Sequence, residues 1–428
     1  MREMKGSGIE WIGQIPKGWE LRRAKTLFTQ RNSKGNGIEV LLSPTQKYGV
    51  VPQSQLEGVV QVKEDTDLQM FKTVHKGDFV ISLRSFQGGF EYSLYEGVCS
   101  PAYQVFYPTS PICDTYYRYL FKSQSFISKM NNLTVGIREG KNIQYVDFAN
   151  SQIPVPPLAE QERIAAFLDA ECAEIDAVLE KTRASIEEYK KLKQAVITQA
   201  VTKGIRGDRP MKDSGIEWIG DIPGSWEVSS VRYIGQLQNG ISKGGEFFGK
   251  GFPFVSYGDV YKNYELPHSV SGLIDTTEDE RATYSVEYGD IFFTRTSETI
   301  EEVGFSCVCK RSIPNATFAG FIIRLRPFCA DEKILTDYAK YYFRGEHIRA
   351  YLVKEMNLVT RASLGQTLLK GMSVIVPPKS VQKEIAEYLD DKCADIDALV
   401  AKKQQYLTEI ENYKKSLIYE YVTGKKEA

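Results

Sequence analysis

Ser7-Gly-Ile-Glu-Trp-Ile-Gly-Gln-Ile-Pro16, closed by Trp19-Glu20, returns as Ser214-Gly-Ile-Glu-Trp-Ile-Gly-Asp-Ile-Pro223, closed by Trp226-Glu227. Farther along, Pro156-Pro157 through Val201-Thr202 returns without a gap as Pro377-Pro378 through Val422-Thr423. A chain written twice is expected to build two similar modules related by a pseudo-twofold. The spacing between copies is 207 residues at Ser7, 212 at Gly77 and 221 at Pro156. All the added length therefore falls inside the second module, before Pro377. The stretch from Pro156 to Val201 has neither gained nor lost a residue, which suits an element that sets a distance.

Both Pro-Pro pairs mark helix starts, because proline is tolerated in the first turn and not beyond it. Ser380 is a candidate N-cap. Apolar residues then follow a 4-3 rhythm at Ile175, Leu179, Ile186, Tyr189, Val196 and Ala200, matched by Ile396, Val400, Leu407, Ile410, Leu417 and Tyr421. Thr182, Lys193, Lys403 and Lys414 interrupt the stripe, which reads as a coiled-coil seam. A helix of about 45 residues is roughly 65 Å long at 1.5 Å per residue, and its stripe needs a partner. Charge selects the orientation. Residues 160–180 carry seven acids and one base, and 181–212 carry nine bases and three acids. The second copy repeats the polarity, with six acids and two bases over 381–401, then six bases and three acids over 402–426. Antiparallel pairing sets each acidic start against the other helix's basic end, so the two helices are expected to form an antiparallel intramolecular coiled coil. Joining the C-terminus to the N-terminus would recreate the internal junction between Val201 and Ser214. The termini should therefore lie close together in a near-circular chain.

Composition bounds the function. A 428-residue chain that is 42% hydrophobic and 12% aromatic has ample material for packed globular cores. No apolar run approaches the ~20 residues that span a bilayer, and Met1–Lys5 has no apolar signal segment. Seven cysteines without a Cys-x-x-Cys pair fit free thiols in a reducing, cytoplasmic setting. The net charge of −1 does not advertise a nucleic-acid binder, but the distribution of charge matters more than its sum.

Residues 20–155 and 227–376 read as mixed α/β modules. Strand-like runs lie at Val50-Val51, 77–82, 104–107, 289–294 and 321–325, and helical stretches at 116–130 and 334–356. Catalytic signals are missing. There is no phosphate-binding Gly-x-x-x-x-Gly-Lys-Ser/Thr loop and no Asn/Asp-Pro-Pro-Tyr/Phe segment. Asp331-Glu-Lys333 has no partner Pro-Asp and reads as a solvated helix start. His75, His268 and His347 are too scattered for a metal site, and Cys307-x-Cys309 reads as buried thiols. Donors and forks that suit base edges and phosphates recur at corresponding places. Arg84, Ser85 and Gln87 follow the first Gly-Asp strand, and Arg295, Thr296 and Ser297 follow the second. A polar loop near each module's end holds Arg138, Lys141, Asn142 and Gln144 in one copy, and Arg361, Ser363 and Gln366 in the other. Tyr257, a further DNA-contact candidate, lies in Val255-Ser-Tyr-Gly-Asp-Val260, a segment unlike its counterpart around Leu42-Ser-Pro44.

Over essentially its full length the chain resembles the specificity subunit of Type I restriction-modification enzymes. The likeness is carried by the Gly-Ile-Glu-Trp-Ile-Gly…Ile-Pro…Trp stretches, by Gly77-Asp78 and Gly289-Asp290, by Ile153-Pro-Val-Pro-Pro-Leu-Ala-Glu-Gln-Glu-Arg-Ile-Ala165 echoed from Val376 to Ala386, and by Ala200-Val-Thr-Lys-Gly204. The resemblance implies tandem α/β (α+β) target-recognition domains at 1–155 and 207–376, with conserved spacer helices at 156–206 and 377–428. Each domain would read one half of a split double-stranded DNA target. Two modification (methyltransferase) subunits and restriction (motor-nuclease) subunits would dock on the chain. S-adenosylmethionine, ATP and Mg would belong to those partners, leaving no cofactor here. Arg84 sits seven residues beyond Gly77 but Arg295 only six beyond Gly289, so without a bulge the two arginines cannot face the same way. The half-sites are expected to differ, giving an asymmetric target. The competing readings are an orphan specificity protein, a coiled-coil scaffold indifferent to DNA, and an enzyme with a degenerate active site.

Overall fold

A computed structural model describes residues 2–35, 40–56, 68–82, 89–133, 143–207, 209–297, 302–355 and 362–428. Two helices dominate it, Leu158–Lys203 and Lys379–Val422. Each begins directly after its Pro-Pro pair. The carbonyl of Pro157 accepts from Glu160 and Gln161, and that of Pro378 accepts from Val381 and Gln382. Ser380 is the second helical residue and not the cap. The prolines themselves occupy the capping turn there and supply its acceptors.

The chain divides into two compact units, one made of Met1–Arg183 with Gln405–Ala428 and the other of Ala184–Gln404. Each unit thus holds the start of one long helix and the end of the other. In the first, Ile175 and Leu179 are buried with Leu417 and Tyr421, and Asp176 meets Lys414 at 2.6 Å. In the second, Val196, Ile197 and Ala200 pack with Ile385, Leu389 and Cys393, and Lys193 meets Asp397 at 2.6 Å. Both pairings run antiparallel. The lysines that break the apolar stripe are the residues that reach across to the facing helix. Of the remaining seam positions, Ile186 and Ile396 are buried, while Tyr189, Val400, Leu407 and Ile410 are half-buried. Lys403 lies over the Tyr189 ring at 5.6 Å.

The core of each unit is an antiparallel four-stranded sheet. Its spatial order in the first unit is Phe28–Arg31, Gln104–Pro108, Phe79–Ile81, Phe90–Tyr92. In the second it is Gly235–Asn239, Ile322–Pro327, Ile291–Thr294, Ser306–Val308. The helical stretches expected at 116–130 and 334–356 are each broken in two. The breaks fall at Ser123, between Asp114–Lys122 and Gln124–Leu133, and around Phe343–Gly345, between Thr336–Tyr342 and Glu346–Glu355. Ser123 is extended and returns its backbone N–H to Leu120, which ends the helix locally.

Each module is fastened to the helix ends in the same way. Tyr116 donates its hydroxyl to the Val422 carbonyl at 2.8 Å, and Tyr338 donates to Val201 at 3.1 Å. Gln161, buried, accepts from Cys113 N and donates to the Pro156 carbonyl. Gln382, also buried, accepts from Leu335 N and donates to Pro377. Both ends of each buried amide are thereby satisfied, where an unpartnered polar atom would cost about 1–3 kcal/mol. The first and last described segments meet in the first unit, where Arg2 lies 3.9 Å from Glu427 and Gly424 packs against Pro16 and Trp19.

Candidate nucleic-acid interface

The Gly-Asp turns position the candidate residues. Gly77 and Gly289 have φ of +94° and +88°, the left-handed region that glycine enters freely. The aspartate that follows is buried in both copies and ties the turn by accepting a backbone N–H three residues upstream, from His75 and from Glu287, at 2.8 Å. A bidentate arginine neutralises each aspartate. Arg31 reaches Asp78 at 2.7 and 3.0 Å, and Arg326 reaches Asp290 at 2.7 Å through both nitrogens. Burial pushes the Asp290 carboxyl above its ordinary range, and the hydrogen bonds and charge of Arg326 act against that rise. The strand beyond each turn therefore leaves a fixed point.

In the second unit that strand leads directly into the candidates. Thr296–Ser297 pairs antiparallel with Ala362–Ser363, Thr296 facing Ser363, and the Arg295 carbonyl accepts from Leu364 N at 2.7 Å. Two polar segments far apart in sequence are thus joined. Ser297 donates to Glu302 Oε2 at 2.9 Å, and Tyr261 donates to Oε1 of the same carboxylate at 3.0 Å. Tyr257 stacks on Tyr261 with centroids 5.8 Å apart. Burial raises the Tyr257 hydroxyl's pKa, while hydrogen bonds with Thr294 and Ser297 act to lower it. The Arg295 side chain is half-buried and has no hydrogen-bond or ion-pair partner among the described residues. Ser363 is exposed. Gln366 opens a short helix and donates to Asn239 Oδ1 at 2.9 Å.

In the first unit Gln144 is exposed and accepts from Gln104 Nε2 at 2.7 Å, while Gln104 also accepts from Tyr145 N. Gln144 is thus left with its amide donors and Gln366 with its carbonyl, as their hydrogen bonds assign them. Arg84, Ser85, Gln87, Arg138, Lys141, Asn142 and Arg361 lie outside the described residues. Glu302 and Tyr261, which organise the second cluster, were not among the residues singled out from sequence. Neither has a repeated partner to draw attention to it.

Other chemistry is accounted for by packing. No group of three or more His, Cys, Asp or Glu that could hold a metal occurs among the described residues. His347 is buried against Tyr342, and desolvation lowers its pKa to about 3. Cys307 and Cys309 are buried, and burial pushes the Cys309 thiol up to about 12. Among the described residues no helix is long and apolar enough to cross a membrane.

Comparison with known proteins adds a family. The profile of the Type I restriction modification DNA specificity domain matches residues 16–188 and again 223–411. The chain is 25% identical over 318 residues to the Type I restriction enzyme StySPI specificity subunit of Salmonella potsdam, covering 74% of this chain and 66% of that protein. The EcoKI specificity subunit of Escherichia coli K12 matches at 25% over 323 residues, again with 74% and 66% coverage. The chain thus spans just under two thirds of the length of these two relatives. The putative MjaX specificity subunit of Methanocaldococcus jannaschii is 24% identical over 447 residues, covering 97% of this chain and 95% of that one. Among solved structures, a chain from a type I R-M system assembly superposes with a TM-score of 0.71 at 15% identity, over 95% of this chain and 98% of that one. The HsdS subunit from Thermoanaerobacter tengcongensis gives 0.50 at 16% identity, over 96% and 98%. At those identities the likeness is one of fold.

Proposed function

The chain belongs to the Type I restriction modification DNA specificity family, and from that premise we propose that it is the non-catalytic specificity subunit of such a system. It reads an asymmetric bipartite double-stranded DNA target, one half-site per module, and docks two modification subunits and the restriction subunits. The recognition domains are 1–155 and 207–376, and the spacer helices are 156–206 and 377–428. S-adenosylmethionine, ATP and Mg sit on the partners.

One observation carries the reading beyond the family. The two candidate segments of the second unit converge on one strand pair, Thr296–Ser297 with Ala362–Ser363, next to an arginine whose side chain has no hydrogen-bond or ion-pair partner among the described residues. Arg295 has the fork geometry that reads guanine O6 and N7, and Gln366 and Gln144 carry amides suited to adenine. Ser297, Ser363 and Thr296 can contact phosphate and hold the register. The first-module candidates Arg84, Ser85, Gln87, Arg138, Lys141 and Asn142 and the second-module Arg361 are assigned the same work. Asymmetry of the half-sites is supported by the different anchoring of the two glutamines and by the unlike segments around Leu42 and Tyr257.

A map of adenine methylation in host DNA, made with and without this gene while its partner subunits are present, tests the proposal. A split motif with two dissimilar halves is expected, and it should vanish on deletion. An unchanged map would overturn it.

A further inference from the structure

The duplication allows each unit to be read as a control for the other at the junction between a long helix's end and the opening motif. In the first unit this junction is closed. Tyr421 stacks on Phe167 with centroids 4.3 Å apart. Glu160 accepts from Trp19 Nε1 at 2.9 Å and pairs with Arg2, and the Arg2 guanidinium lies 5.4 Å from the Trp19 ring centre.

In the second unit three of these parts are present and two are replaced. Tyr388, Trp226 and Arg209 stand for Phe167, Trp19 and Arg2. Ala200 stands where Tyr421 does, and Val381 where Glu160 does. The ring and the carboxylate are therefore missing from the chain itself. A cavity of about 330 Å³ lies at this junction, lined by Ala200, Tyr388, Gln199, Lys203, Arg206 and Arg209 among others. Trp226 is fully buried, and its indole N–H finds no acceptor among the described residues. Arg209 has no ion-pair partner there either, whereas Arg206 pairs with Glu384 and Lys203 donates to the carbonyls of Ile219 and Asp221. Arg209 and Trp226 converge on Gly204, where an added Cβ would lie 3.2 Å from one and 3.3 Å from the other.

We propose that this cavity is a docking pocket for a partner protein that supplies what the first unit supplies to itself: an aromatic side chain seated on Tyr388, with an adjoining carboxylate on Arg209. The first unit shows that a tyrosine fits this framework and that an acid belongs beside its arginine. The exposed charge of the pocket is positive, which selects an acidic segment over a basic one. The inference rests on the reading of the chain as a subunit that binds modification subunits, and it names where one contact is made.

The test uses the full chain and its modification subunit. Ala200→Tyr should close the cavity as Tyr421 does, Val381→Glu should restore the internal acid, and Arg209→Ala should remove the free cation. Each is expected to weaken association with the modification subunit at least tenfold by calorimetry, while the chain's own melting temperature is unchanged or higher for the first two. Should Ala200→Tyr not fold, Arg209→Ala decides the matter, because that side chain has no ion-pair partner to lose among the described residues. Unchanged affinity in the folded variants overturns the pocket and leaves the functional reading intact. If the unaltered chain binds no modification subunit, the functional reading fails and the pocket fails with it. Loss of self-association in sedimentation of the chain alone would assign the cavity to a second copy and overturn the proposal.

Discussion

An aspartate with almost no solvent access is costly unless a cation and hydrogen bonds meet it. Among the described residues, Arg326 is the cation at hydrogen-bond distance from Asp290. Arg326→Ala is therefore expected to destabilise the second unit by about 3–5 kcal/mol, because it strands a buried charge. Chemical denaturation measures this. Arg295 makes the opposite prediction, since its side chain has no hydrogen-bond or ion-pair partner among the described residues. Arg295→Ala should leave stability within about 0.5 kcal/mol and cost about 1–3 kcal/mol of discrimination at one half-site only, read by binding to a panel of single-base variants. Glu91 adds a pH dependence. Burial pushes its carboxyl up to about 7, with Lys122 at 2.6 Å acting against the rise. A carboxyl raised on folding contributes stability that is complete below its unfolded pKa and is lost as pH rises through its folded value. The first unit should therefore lose stability from pH 5 to 8, by roughly 3 kcal/mol at most, and Glu91→Gln should flatten that slope. The Gly-Asp turns were legible in the sequence because glycine and aspartate repeat together. Their arginines were not. Arg31 comes from an edge strand and Arg326 from a central one, so the same chemical need is met from positions that do not align.

Among elements, the long helices were the most legible, because periodicity, charge polarity and proline all pointed the same way. The antiparallel order followed from charge, and the Asp176–Lys414 and Lys193–Asp397 bridges realise it. Each such pair is partly exposed and contributes at most about 1 kcal/mol. A double-mutant cycle on Asp176→Ala and Lys414→Ala should give a coupling of about 0.3–1 kcal/mol that fades in 1 M salt. Zero coupling at low salt would deny the bridges any part in fixing register. The short elements were harder to read. Ser123 ends one helix by its own backbone conformation, and no proline or glycine announces the break. Gln161 and Gln382 look like solvated residues of a helix's first turn, yet both are buried clasps. Only the packing of the module onto the helix start makes them so.

For the molecule as a whole, the proposed division between ruler and reader can be tested mechanically. Whole heptads inserted symmetrically into both helices should lengthen the spacer between half-sites and leave their bases unchanged, as methylation mapping would report. Altered half-site bases would defeat that division. The proposed DNA-contact residues stand out in the sequence as a set because they recur at matching places in the two copies. The Glu302 cluster does not, because no repeated motif marks Glu302 or Tyr261. The partition of the chain also has a consequence for how the protein is made. The second unit is a single stretch, Ala184–Gln404, whereas the first needs both Met1–Arg183 and Gln405–Ala428. On the ribosome the module synthesised first cannot finish folding first. Until the last turns of the second long helix emerge, Tyr116 lacks its Val422 acceptor and Pro16 and Trp19 lack the Gly424 segment that packs on them. The first unit is thus closed only when the chain's last described turns are added to it, although most of its residues are made before those of the second.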